Sequence, residues 1–117
     1  MLRPRPSHVD ALAPYIHLSA AGTGGEYGFV SGHASNSFAL ATFLVLTLPS
    51  GYRALKHIMV GWALLVFYSR IYNGVHYPGD VLGGAVVGAS LALLAAMLFQ
   101  RFYFDYLGLL KRWMKNG

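Results

Sequence analysis

Residues 81–99, VLGGAVVGASLALLAAMLF, run for nineteen positions without one charged side chain. A helix needs about 20 such residues to cross the hydrocarbon core of a bilayer, whereas a buried strand ends after roughly 4–8. Residues 34–48 and 58–71 are also apolar, and each reaches a crossing length only with its polar ends included. Core helices of a soluble protein are the competing explanation, but they need a polar sequence to cover them. Here 56% of residues are hydrophobic and 11% charged, against about 25% charged in soluble domains. The expected architecture is therefore all-α, a transmembrane helical bundle with membrane helices at about 31–48, 57–72 and 80–99. The 117 residues hold one domain at most.

The flanks differ in character. Residues 1–30 are rich in Pro and Gly and predict an outer-face, irregular segment with one short helix around 11–19. Basic residues near the start have no apolar stretch behind them, so no cleavable signal peptide is expected. Residues 100–117 mix Phe, Tyr and Trp with Lys and Arg, the pattern of an interfacial basic tail. Gly84, Gly88, Ala92 and Ala96 recur every fourth residue in the third helix; such a stripe lets helices approach closely in lipid, and is the expected helix-packing surface.

Charge sets the topology. The loop after the first helix carries Arg53, Lys56 and His57, and the chain after the third carries Arg101, Lys111, Arg112 and Lys115. Three crossings place both groups on one side, cytoplasmic by the positive-inside tendency. The polar clusters RPRP, VSGHAS and SRIYNGVHYPGD then share the opposite, outer side. The formal charge of +5 lacks the polar basic face that nucleic acid would need. With no cysteine, disulfides and Cys-based zinc sites are excluded.

The outer clusters contain the chemistry. His76 and Asp80 are four apart, hence on one helical face. A carboxylate beside an imidazole fixes its tautomer and stabilises its cation; an N-capping Asp with an interfacial His would look the same. Arg70 ends the second helix, where it either snorkels to the interface or grips an oxyanion with its planar fork. Ser31 and Gly32 open the first helix, and free N–H groups there make a phosphate cradle, although Ser31 is also an ordinary N-cap. His33 comes next, a second imidazole on the same side. Two imidazoles with arginines and helix N-termini suit phosphoryl transfer, one His attacking phosphorus and the other handling the proton. Nothing in this set requires a metal or cofactor. His8, His17 and His57 lack partners at ligand spacing and read as interfacial or loop residues.

On these residues the chain resembles the type 2 phosphatidic acid phosphatases, a superfamily of lipid phosphatases and bacterial acid phosphatases. The family's third motif is Ser-Arg, five residues, His, three residues, Asp; Ser69, Arg70, His76 and Asp80 match it without a gap. Its second motif is Pro-Ser-Gly-His, of which Ser31, Gly32 and His33 match and Val30 replaces the proline. The PSGY at 49–52 has no His and falls on the cytoplasmic side. The first motif is a Lys, six residues, then Arg-Pro; Arg5-Pro6, or less well Arg3-Pro4, supplies its end, and in either register the Lys would precede Met1.

The resemblance implies roles. His76 would be the nucleophile that becomes phosphohistidine, Asp80 its orienting partner, and His33 the proton donor and then the base. Ser31, Gly32, Arg70 and Arg5 or Arg3 would hold the phosphate. It implies a metal-independent phosphatase of a lipid phosphate or diphosphate, undecaprenyl diphosphate being the first expected substrate, acting at the outer face of a bacterial inner membrane. It also implies a six-helix bundle of which three helices are present here. A lone half would leave one side unpacked, so the chain by itself is expected to turn over weakly or not at all. A non-catalytic membrane fragment, or a soluble acid phosphatase of the same superfamily, is the alternative.

Overall fold

The computed structural model describes residues 4–16 and 27–116. Among these the chain is helical, with no strand beyond one isolated bridge between Pro4 and Tyr27. Two short 3₁₀ helices, Pro6–His8 and Asp10–Tyr15, lead the chain. The expected helix around 11–19 corresponds to the second of these, and its residues from 17 onward lie outside the described part. Three α-helices come after them: α1, Gly32–Thr47; α2, Arg53–Tyr72, entered through a 3₁₀ turn at Ser50–Tyr52; and α3, Pro78–Asn116.

Each boundary has a local cause. Ser31 caps α1 by accepting from Ala34 N at 3.4 Å. The helix stops at Leu48 because Pro49 disfavours helical backbone in the residue before it. Gly74, at φ 63°, lies just past the end of α2 in the left-handed region that glycine tolerates. Pro78 occupies the first turn of α3, where its missing N–H costs nothing.

Helices α1 and α3 form the tightest pair. Gly84 and Gly88 of α3 lie against the backbone carbonyls of Ser31 and Ser35, with no room for a Cβ at either position. Ala92 and Ala96 continue the buried line, and Phe43 meets Phe99 edge-on at 5.8 Å. The small-residue stripe is thus covered by α1 within the same chain, and does not stand free as a face for a separate partner. Helix α2 packs on α1 through contacts such as Phe38 with Phe67, and buries only Ala63 fully. Many of its other apolar side chains face outward; Leu65 is 69% exposed.

Among the described residues two helical segments, Ser50–Tyr72 and Pro78–Asn116, are long and apolar enough to cross a membrane, rather than the three expected. The missing one is α1. Its 16 residues rise about 24 Å at 1.5 Å per residue, short of the roughly 30 Å hydrocarbon core, because Ser31 and Pro49 fix its ends. The third apolar segment, by contrast, does not stop at Phe99. No proline interrupts residues 100–116, and α3 runs on for 39 residues in all. Near its midpoint Gln100 donates from Nε2 to the Leu46 carbonyl at 3.0 Å, joining α3 to the far end of α1.

Candidate active site

The antiparallel order of the helices brings the start of α1, the end of α2 and the start of α3 to one end of the bundle. Arg53, Lys56 and His57 begin α2 at the opposite end. The second and third motifs therefore converge by connectivity, and a direct bond ties them together. Ser31 N donates to the Asp80 carbonyl at 3.0 Å, and Ser31 and Asp80 are both buried.

Asp80 has two tasks. Its Oδ2 accepts from Tyr77 N at 3.0 Å, the reach back to the N–H of the residue preceding the helix that an acid in a capping box makes. The same oxygen lies 4.0 Å from His76 Nδ1. That separation exceeds a hydrogen bond, and His76 Nδ1 is buried without a hydrogen-bond partner among the described residues. The local geometry thus contains both readings of the sequence pair. Asp80 caps α3, and it holds a carboxylate about 1 Å beyond hydrogen-bond reach of the imidazole.

His76 lies in the connection between α2 and α3, 5% exposed. Its pKa is lowered from the ordinary value of 6.5, first by burial, then by the positive charge of Arg5. Asp80 and a hydrogen bond with the Gly28 backbone push the other way, and Arg70 adds a further downward push. A neutral imidazole at neutral pH is the state in which a ring nitrogen carries a free lone pair.

The arginines reach this region from different directions. Arg70 sits in the last turn of α2, half-buried, with Nε donating to Ser69 Oγ at 3.4 Å. Arg5 comes from the N-terminal segment, and its Nε donates to the Tyr27 carbonyl at 3.2 Å. That segment is fastened to the α2–α3 connection, since Ser7 N donates to the Gly74 carbonyl at 3.0 Å and the Ile16 side chain packs onto Gly74. Pro6 is buried in between. Arg3, the other candidate for the first motif, lies outside the described residues.

His33 and Gly32 differ from the rest. Both are exposed in the first turn of α1, and a Cβ at Gly32 would meet no atom within 4 Å. The structure thus gathers Ser31, His76 and Asp80 as a buried cluster, brings Arg5 and Arg70 close enough to act on His76 electrostatically, and leaves His33 and Gly32 facing open space at the same end. No group of three His, Cys, Asp or Glu able to hold a metal occurs among the described residues. Sequence reasoning missed Tyr27 and Gly28. Their signal is weak, because a Gly-rich stretch reads as loop and gives no register for the backbone atoms that face Arg5 and His76.

Comparison with known proteins matches residues 1–104 to the PAP2 superfamily. Among curated relatives, the lipid A 4'-phosphatase of Bacteroides thetaiotaomicron is 41% identical over 87 residues, covering 74% of this chain and 38% of that protein. Phosphatidylglycerophosphatase B of Bacillus subtilis is 39% identical, covering 70% and 41%. Undecaprenyl-diphosphatase of Sulfolobus acidocaldarius is 38% identical, covering 62% and 34%. The chain thus spans about two fifths of the length of the relatives it matches. No solved structure matches it significantly.

Proposed function

The chain belongs to the PAP2 superfamily, and from that premise we propose that it carries the phosphate-handling half of an integral-membrane lipid phosphatase. The substrate is a lipid phosphate or diphosphate, with undecaprenyl diphosphate the first to test. The observation that carries the proposal is the buried His76 and Asp80 pair, joined through the Asp80 carbonyl to Ser31 at the start of α1. The relatives, all named phosphatases, support the reaction class.

In the proposed mechanism a ring nitrogen of neutral His76 attacks phosphorus. The bond between phosphorus and the leaving oxygen breaks, and His33 supplies the proton that oxygen needs. Water, deprotonated by His33, then attacks the phosphohistidine; the P–N bond breaks, inorganic phosphate leaves, and both histidines return to their starting states. Asp80 has to close the last ångström or so to His76 Nδ1, which fixes the tautomer and stabilises the charge formed on the ring. Arg5, Arg70, Ser31 and the amide groups opening α1 balance the negative charge on the non-reacting oxygens. Placing this site at the outer face of a bacterial inner membrane rests on the Lys and Arg at the opposite end of the bundle.

The test is phosphate release by the detergent-purified chain from undecaprenyl diphosphate, phosphatidylglycerophosphate and lipid A in parallel. Slow release from at least one lipid, lost in His76→Ala, is the expected outcome for a chain spanning about two fifths of its relatives' length. Release from soluble phosphomonoesters alone, by protein that extracts without detergent, would favour a soluble acid phosphatase instead.

A further inference from the structure

Gly28 is a glycine whose backbone does not need to be one. Its φ lies outside the left-handed region, and Gly74 is the only glycine with positive φ among the described residues. Space is what excludes a side chain. The position a Cβ would take at Gly28 lies 2.6 Å from Arg5 Nε, 3.1 Å from Arg5 Cγ and 2.9 Å from His76 Cε1. Arg5 and His76, far apart in the sequence, thus meet in the volume a single methyl group would fill. One residue earlier, the Tyr27 carbonyl accepts from Arg5 Nε at 3.2 Å.

We infer that the backbone of Tyr27 and Gly28 is a positioning clip for the phosphate site. The Tyr27 carbonyl fixes the Arg5 guanidinium by its Nε, and the bare Gly28 leaves the gap in which guanidinium and imidazole stand side by side. The inference rests on the proposed function and deepens it, because neither residue forms or breaks a bond in that scheme. Holding Nε leaves the two terminal nitrogens of Arg5, with four N–H donors, free to face an oxyanion. A phosphoryl group attacked by His76 then finds those donors already aimed. The clip also couples the N-terminal segment, itself tied to Gly74 through Ser7, to the residue that does the chemistry.

A methyl group at Gly28 meets the Arg5 side chain, which can swing away, and the edge of the His76 ring at Cε1, so Gly28→Ala is expected to fold while displacing the guanidinium and crowding the imidazole. Misplacement of a reacting or stabilising group by about 1 Å costs on the order of 10²-fold in rate. The experiment measures phosphate release from the lipid substrates, orthovanadate binding and thermal midpoint for wild type, Gly28→Ala, Arg5→Ala and the double variant.

The expected result is that Gly28→Ala lowers kcat and weakens orthovanadate binding at least about tenfold, with the midpoint little changed. In the Arg5→Ala background the obstruction by Arg5 is absent while the contact with His76 Cε1 remains, so the same substitution should still cost activity but clearly less than in the wild type, a non-additivity that independent sites do not show. Should Gly28→Ala fail to fold, the double variant is expected to recover folding, and failure to recover overturns the inference. Wild-type turnover with Gly28→Ala unaffected, or with strictly additive effects, overturns the clip and leaves the proposed function standing. A wild type that neither releases phosphate nor binds orthovanadate overturns both.

Discussion

At the scale of single residues, the site is governed by what surrounds one imidazole. Asp80 caps α3 through Tyr77 N and faces His76 with the same oxygen, so removing it confounds stability with chemistry. Asp80→Asn separates them, because an amide oxygen still accepts from Tyr77 N while the negative charge is gone. The expected outcome is a thermal midpoint close to wild type, with kcat reduced by up to about 10⁴-fold, the scale of a mis-set imidazole tautomer. Arg5 offers a second handle. In the proposed mechanism His76 attacks as the neutral imidazole, so the acid limb of kcat/KM reports its pKa in the free protein, and that limb should lie below pH 6.5. Arg5→Ala removes a positive charge that lowers this pKa, so the limb should move to higher pH as the overall rate falls. The depressed pKa also bears on folding. Its contribution to stability is complete above the ordinary value of 6.5 and declines as pH falls through the lowered one, because the unfolded chain binds the proton more readily.

At the scale of elements, the stripe of Gly84, Gly88, Ala92 and Ala96 is legible in the sequence as a packing surface, while its partner is not. Periodicity shows which face of a helix is small, and only the fold shows that α1 covers it. Gly88→Leu, which drives a side chain into the Ser35 carbonyl, should lower the thermal midpoint markedly and separate α1 from α3. Gly108→Ala, a position with open space around it, should instead stabilise by about 0.5–1 kcal/mol through helix propensity. Circular dichroism melts of the two variants in one detergent make the comparison.

Helix ends are unevenly marked in the sequence, for physical reasons. Ser31, Pro49 and Pro78 are strong stop and start signals, and the observed ends fall beside them. Nothing comparable marks the end of the apolar run at Phe99, where a change of composition suggests an ending that the backbone does not make. Backbone hydrogen bonding continues across Gln100 regardless of side-chain polarity, and α3 extends to Asn116. The same limit explains why His76 and Asp80 stand out by their spacing whereas Tyr27 and Gly28 do not. The former pair is marked by side chains, the latter by carbonyl placement and an absent Cβ.

At the scale of the whole molecule, the chain has an end that gathers the candidate site, an opposite basic end, and apolar flanks between them. The outward side chains of α2 need a lipid or protein cover, and the principal extents of 72 by 31 by 20 Å describe an elongated body rather than a globule. The central claim about this molecule is that His76 is the phosphoryl acceptor in a metal-independent hydrolysis. The most direct test is phosphate release from a lipid diphosphate in EDTA by the purified chain, beside His76→Ala carrying an unchanged far-ultraviolet spectrum. Release by the wild type, even if slow, with a loss of more than about 10³-fold in the variant is the predicted result. Release that survives the substitution, or that appears only when a divalent metal is restored, would contradict it.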